Sequence, residues 1–229
     1  MIRKFHNELK QLRKDVIKMG YLSQDMLKDS VEALKNRDIK LAESVLSKKG
    51  KIADMDNDIE ARALQLLTLY QPMAIDLREI GCIIKIITYL ARIGRYGKDI
   101  AKLAIELADK PHIKKLVSIP YMANIVNNMI FDSLKSFEDR NIDSIKDFSD
   151  RDDNVDELRY SIFRECISYM MEDQKTITQC MHYAMVARYL ERCADHACKI
   201  AEKIHYLVTG EHIEIDCSEN KMSRLCKIK

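Results

Sequence analysis

Residues 190–202 read Leu-Glu-Arg-Cys-Ala-Asp-His-Ala-Cys-Lys-Ile-Ala-Glu. Leu190, Ala194, Ala197, Ile200, Ala201 and, just beyond, Ile204 recur at helical spacing, which predicts a helix with one apolar stripe. Glu191 and Asp195 stand four positions apart, so both carboxylates lie on one helix face, about 5–6 Å apart at Cβ. Like charges so placed repel weakly. A positive group is expected between them, either a basic side chain or a metal ion.

The rest of the chain carries the same period. Phe5, Leu9, Leu12, Val16 and Met19 step by 4, 3, 4, 3 residues and predict a first helix that continues to Leu34. A second helix is predicted over Leu41, Val45, Ile52, Met55, Ile59 and Leu66. Pro72 fits the first turn of a third, which runs from Leu77 to Leu107 and stops before Pro111. The segment 110–121 holds two of the three prolines and is the expected domain boundary. Three further helices follow, carrying Ile125 to Phe137, Ile145 to Ile167, and a last stretch ending at Gly210, a C′ glycine.

Composition agrees with an all-α chain. With 47% hydrophobic and 32% charged residues, six glycines, three prolines and no tryptophan, helix breakers are rare. A net charge of +2 gives no electrostatic footprint for nucleic acid. No apolar run reaches membrane-spanning length, and the N-terminal residues do not resemble a signal peptide. The seven cysteines include no C-x-x-C pair and several lie on apolar stripes. They read as core residues of a reducing cytoplasm.

The two halves repeat. Leu90-Ala-Arg-Ile-Gly-Arg-Tyr-Gly-Lys-Asp-Ile-Ala101 aligns with residues 190–201 at an offset of 100, with Leu, Arg, Ile and Ala coinciding. Gly94 and Gly97 meet Ala194 and Ala197, small residues that let neighbouring helices approach closely. The expected architecture is two tandem three-helix bundles related by internal duplication: residues 1–110, residues 121–211, then a C-terminal tail over 212–229.

A second acidic pair, Asp152 and Asp156, has the same i,i+4 spacing in the fifth helix. Counting from a hairpin turn near Asp173 places it level with Glu191 and Asp195 on the neighbouring helix. Four carboxylates at one level suit hard or borderline cations. The competing reading is a solvated acidic face, with Asp195 paired to Lys199 and Glu191 to Arg188. Asp54 and Asp58, also i,i+4, have no acidic pair at their level and read as solvated. Glu202 and His205 match the Glu-x-x-His of di-iron bundles, which need a second such motif that the chain lacks. A carboxylate-bridged di-metal enzyme and a metal-free helical adaptor therefore stand as alternatives. Nothing resembles a phosphate loop or a nucleophile elbow.

Over residues 1–211 the chain resembles the PhoU family of phosphate-signalling regulators. The resemblance rests on Phe5, Leu9, Leu12 and Met19-Gly20, on Gln71-Pro-Met-Ala-Ile-Asp-Leu-Arg78, on residues 190–202, and on the closing Tyr206-Leu-Val-Thr-Gly-Glu211. It implies a non-enzymatic cytoplasmic regulator of phosphate uptake. It also implies metal clusters on paired acidic motifs, iron foremost, with zinc, manganese or magnesium as alternatives. The partners implied are the ATPase of the phosphate ABC transporter, a membrane sensor kinase where one exists, and a second copy of the chain.

The departures confine that expectation to one bundle. The family's first repeat would carry Glu and Asp where this chain has Ala91 and Arg95. The segment aligned with Asp152 to Asp156 reads Lys49-Gly-Lys-Ile-Ala53. The first bundle is therefore expected to be metal-free, its Lys49 and Arg95 in salt bridges within the bundle, with binding of an anion such as phosphate as the alternative. The expected ligands are Asp152, Asp156, Glu191 and Asp195.

Overall fold

The computed structural model describes residues 2–215, except the side chain of Ile2. Seven α-helices account for most of this length: α1 (Ile2–Asn36), α2 (Ile39–Ser47), α3 (Lys49–Tyr70), α4 (Ala74–Leu107), α5 (Ser118–Asp139), α6 (Phe148–Glu172) and α7 (Ile177–Thr209). Helix α1, the α2–α3 pair and α4 form the first three-helix bundle; α5, α6 and α7 form the second. Among the described residues there is no strand.

Most of the predicted stripe residues are buried, while Leu77 and Ile167, at the ends of their stripes, are exposed. Phe5, Leu9, Leu12, Val16 and Met19 of α1 face the first core, and Leu190, Ala194, Ala197 and Ile200 of α7 face the second. Cys82, Cys166, Cys180, Cys193 and Cys198 are buried free thiols. Cys217 and Cys226 of the expected tail lie outside the described residues. At Gly210, φ is +84° and its N–H donates to the Tyr206 carbonyl at 2.9 Å, closing α7 as expected for a C′ glycine.

Three local expectations are corrected. The second predicted helix is divided between α2 and α3 at Lys48, whose N–H donates to the Val45 carbonyl. The Ser44 and Ser47 hydroxyls donate to the Leu41 and Ser44 carbonyls there. Such side-chain competition tightens the last turn of α2. Pro72 lies before α4, not in its first turn, because Gln71 (φ +45°) and Ala74 (φ +50°) fold the connection back. Ile145 sits in a 3₁₀ turn ahead of α6.

Small residues set the helix spacing where the duplication suggested. A Cβ built on Gly97 would lie 2.9 Å from the Leu27 backbone nitrogen, so α1 and α4 touch backbone to backbone. Gly97→Ala is expected to destabilise by about 1–3 kcal/mol, the cost of overpacking, despite the roughly 1 kcal/mol helix-propensity gain from Gly to Ala. Urea unfolding measures this; a midpoint at or above wild type would contradict the close approach.

The bundles pack side by side, α1 on α5 and α4 on α7. Glu79 of α4, wholly buried, accepts from Arg13 Nε of α1 at 2.7 Å and also from Arg140 at the end of α5. Gln24 Nε2 donates to the Asn127 carbonyl at 2.8 Å. Arg78, from the Gln71–Arg78 motif, lies over the Tyr206 ring and donates to its carbonyl near the negative end of α7. The linker is held by both halves, with His112 bonded to the Lys35 carbonyl and to the Tyr183 hydroxyl.

Candidate functional site

The α6–α7 hairpin turns through Asp173 to Thr176, where Asp173 accepts from the Lys175 N–H at 2.9 Å. Across the hairpin, Arg159 Nε of α6 stands 3.2 Å from Glu191 Oε1 of α7, though not aligned for a hydrogen bond. Glu191 is also held by Arg188, one turn earlier. Asp195 accepts from Arg192 Nη1 at 2.9 Å. Asp152 is buried at 3% exposure, one turn before Asp156.

Asp156 reports how close these groups are. Burial first, then the negative charges of Glu191 and Asp195, push its pKa up to about 6, against an opposing pull from Arg159. Asp156, Glu191 and Asp195 therefore share one electrostatic environment across the hairpin. Among the described residues, however, no three His, Cys, Asp or Glu side chains converge as a metal centre requires. The charge balance here is made by Arg159, Arg188 and Arg192. Sequence reasoning anticipated Arg188 but missed Arg159 and Arg192. Arg159 lies three positions after Asp156, which was the available signal.

The raised Asp156 has a pH signature. Its folded pKa lies above the unfolded value, so protonation favours the fold, and stability is lost as pH rises from about 4 through about 6. In metal-free protein, Asp156→Asn should therefore stabilise more at pH 7.5 than at pH 4. The difference should be about 1–2 kcal/mol, after allowing for partial exposure. Urea midpoints of both proteins at the two pH values check this; parallel changes would refute it.

The other candidates have local partners. Glu202 accepts from Lys199 at 2.8 Å and from the Ile215 N–H at 3.1 Å, while His205 Nδ1 contacts the Glu211 carbonyl. The Glu-x-x-His pair is thus engaged in closing the end of α7. His196 is stacked between Tyr89 and Tyr96 in the seam between bundles. Burial, then Arg92 and Arg192, hold its pKa down to about 4. Asp58 shares Arg62 with Asp15.

Comparison with known proteins gives concordant matches. The family model described as PhoU domain matches twice, at residues 16–104 and 119–204. A phosphate-specific transport system accessory protein PhoU homolog of Clostridium acetobutylicum is 35% identical over 94% of this chain and all of its own length. The Aquifex aeolicus homolog is 40% identical, covering 92% of this chain and 96% of its own. In the crystal structure of PhoU from Pseudomonas aeruginosa, the match has a TM-score of 0.87 at 32% identity, over 90% of this chain and all of that one. The Streptococcus pneumoniae phosphate transport system regulatory protein PhoU gives 0.84 at 27%, over 92% and 99%.

Proposed function

The chain belongs to the PhoU family, and on that premise we propose that it is a non-enzymatic cytoplasmic accessory protein that restrains phosphate uptake and reports phosphate status. The observation that carries this is the pair of family domains at residues 16–104 and 119–204, together with relatives named as phosphate-specific transport system accessory proteins that match over more than nine-tenths of the chain. Among the described residues no helix is long and apolar enough to cross a membrane.

The partner is the ATPase of a phosphate ABC transporter, with a membrane sensor kinase as a second and a homodimer as the working unit. The hairpin tip offers a surface suited to docking: Phe163, Ile167 and Met171 on α6 and Ile177, Met181 and Met185 on α7 are exposed at i,i+4,i+8 spacing. Adaptable methionines favour such contacts. Capture from phosphate-replete cells should recover the ATPase with wild-type protein and lose most of it with Met171→Glu/Met181→Glu. Recovery of no transporter component by wild type would sink the reading.

For the metal, the donor set of Asp152, Asp156, Glu191 and Asp195 is all oxygen, which suits iron and also zinc, manganese or magnesium. Three of the four already repel one another, so a cation in place of the arginines would be held by these carboxylates and would neutralise them. Metal content is measured by elemental analysis of wild type and Glu191→Ala/Asp195→Ala. Equal content, or none in either, excludes the site. The arginine pairs favour a second reading, a metal-free adaptor in which Arg159, Arg188 and Arg192 are the permanent counter-ions.

A further inference from the structure

We propose that the pocket between α3 and α4 of the first bundle binds a small tetrahedral oxyanion, free inorganic phosphate being the type ligand. Its lining includes Lys49, Ala53, Asp56, Ala91, Arg95 and Lys98, around a cavity of about 130 Å³. That is the space of about four waters at roughly 30 Å³ each, enough for a phosphate ion.

The placement follows from the duplication. Lys49 and Ala53 occupy the positions of Asp152 and Asp156, and Ala91 and Arg95 those of Glu191 and Asp195. All four line this one pocket. Two carboxylate positions have become small alanines, which open space, and two have become cations, which reverse the charge. The same architecture thus presents a basic pocket in one half and an acidic cluster in the other.

The cations are not used up internally. The salt bridges expected for Lys49 and Arg95 are not formed: among the described residues neither has an acidic oxygen within 4.0 Å. Lys98 is paired with Asp99 at 2.7 Å and adds a partly neutralised charge. Asp56 is the one lining carboxylate. Burial and then Glu60 raise its proton affinity, against Arg95, whose charge acts on it, and the three basic side chains outnumber it in the lining. A partly enclosed pocket with unpaired cations concentrates anions, and a guanidinium fork fits two oxygens of a tetrahedral anion.

The inference is independent of the metal reading, and its test keeps the two apart. EDTA-treated full-length protein is titrated calorimetrically with inorganic phosphate, sulfate, chloride and glycerol phosphate at constant ionic strength. Saturable binding of phosphate is expected, with chloride at least about tenfold weaker and glycerol phosphate no tighter than the free ion. Lys49→Ala/Arg95→Ala should weaken phosphate at least about tenfold, whereas Glu191→Gln/Asp195→Asn should leave it unchanged. Both basic side chains are exposed, and helical circular dichroism verifies folding; Arg95→Gln alone serves if the double variant misfolds. Absence of saturable phosphate binding, equal affinity in the Lys49/Arg95 variants, chloride binding as tight as phosphate, tighter binding of glycerol phosphate, or loss in the Glu191/Asp195 variant would each overturn the proposal.

Discussion

Glu79→Ala should cost about 3–4 kcal/mol of unfolding free energy, the largest loss expected from any single substitution considered. Glu79 has no solvent exposure and is shared by Arg13 and Arg140, whose side chains are 24% and 42% exposed. Removing the carboxylate leaves two cations facing each other across the junction between bundles. The partial exposure of Arg140 lets water relieve part of that penalty, which keeps the figure below the upper end for fully buried pairs. Glu79→Gln keeps the shape and a hydrogen bond, so it should fall between Ala and wild type. Urea unfolding at neutral pH is the measurement, and a loss under about 1 kcal/mol for the alanine variant would contradict the reading of Glu79 as the shared counter-ion.

Glu191→Ala/Asp195→Arg, which writes the first bundle's pattern into the second, should cost nearly as much and, on the proposed metal reading, abolish metal retention. Glu191 is 8% exposed and answers both Arg159 and Arg188, while Asp195 answers Arg192. The double variant removes both carboxylates and adds a fourth arginine among three. About 2–4 kcal/mol should be lost, the range for breaking a buried pair reduced for the exposed ends of these arginines. The pH dependence should change too, because Asp156 loses two negative neighbours and gains a positive one, so its pKa should fall. Denaturant midpoints with elemental analysis test both halves of this expectation; retained metal at wild-type stability would refute it.

Much of this was legible in the chain. Apolar stripes at helical spacing gave the helices, and the offset of 100 residues gave the duplication. Counting across the α6–α7 turn brought Asp156 near Glu191 and Asp195. Hairpin counting works because the rise per residue is fixed. Contacts between distant helices have no such ruler. Glu79 lies on the stripe continued by Ile83, Ile86 and Leu90, so a charge in the core could be suspected, but its partners are 66 and 61 residues away. The division at Lys48 was hidden because residues 39–70 keep a continuous helical pattern, and only serine hydroxyls donating to carbonyls three residues earlier interrupt it. Arg159 and Arg192 were missed for a different reason: exposed arginines occur throughout the chain, and only the folded geometry selects those that meet the carboxylates.

The junction between the halves is fastened at three places. The Glu79 triad and Arg78 over Tyr206 lie at one end of α4, the Tyr89–His196–Tyr96 stack lies further along it, and His112 ties the linker to both sides. Neither half could be excised without stranding buried charge and aromatic surface. Calorimetry should accordingly record a single endotherm, with a van't Hoff enthalpy matching the calorimetric one. Two copies of one ancestral unit would then melt as one thermodynamic body.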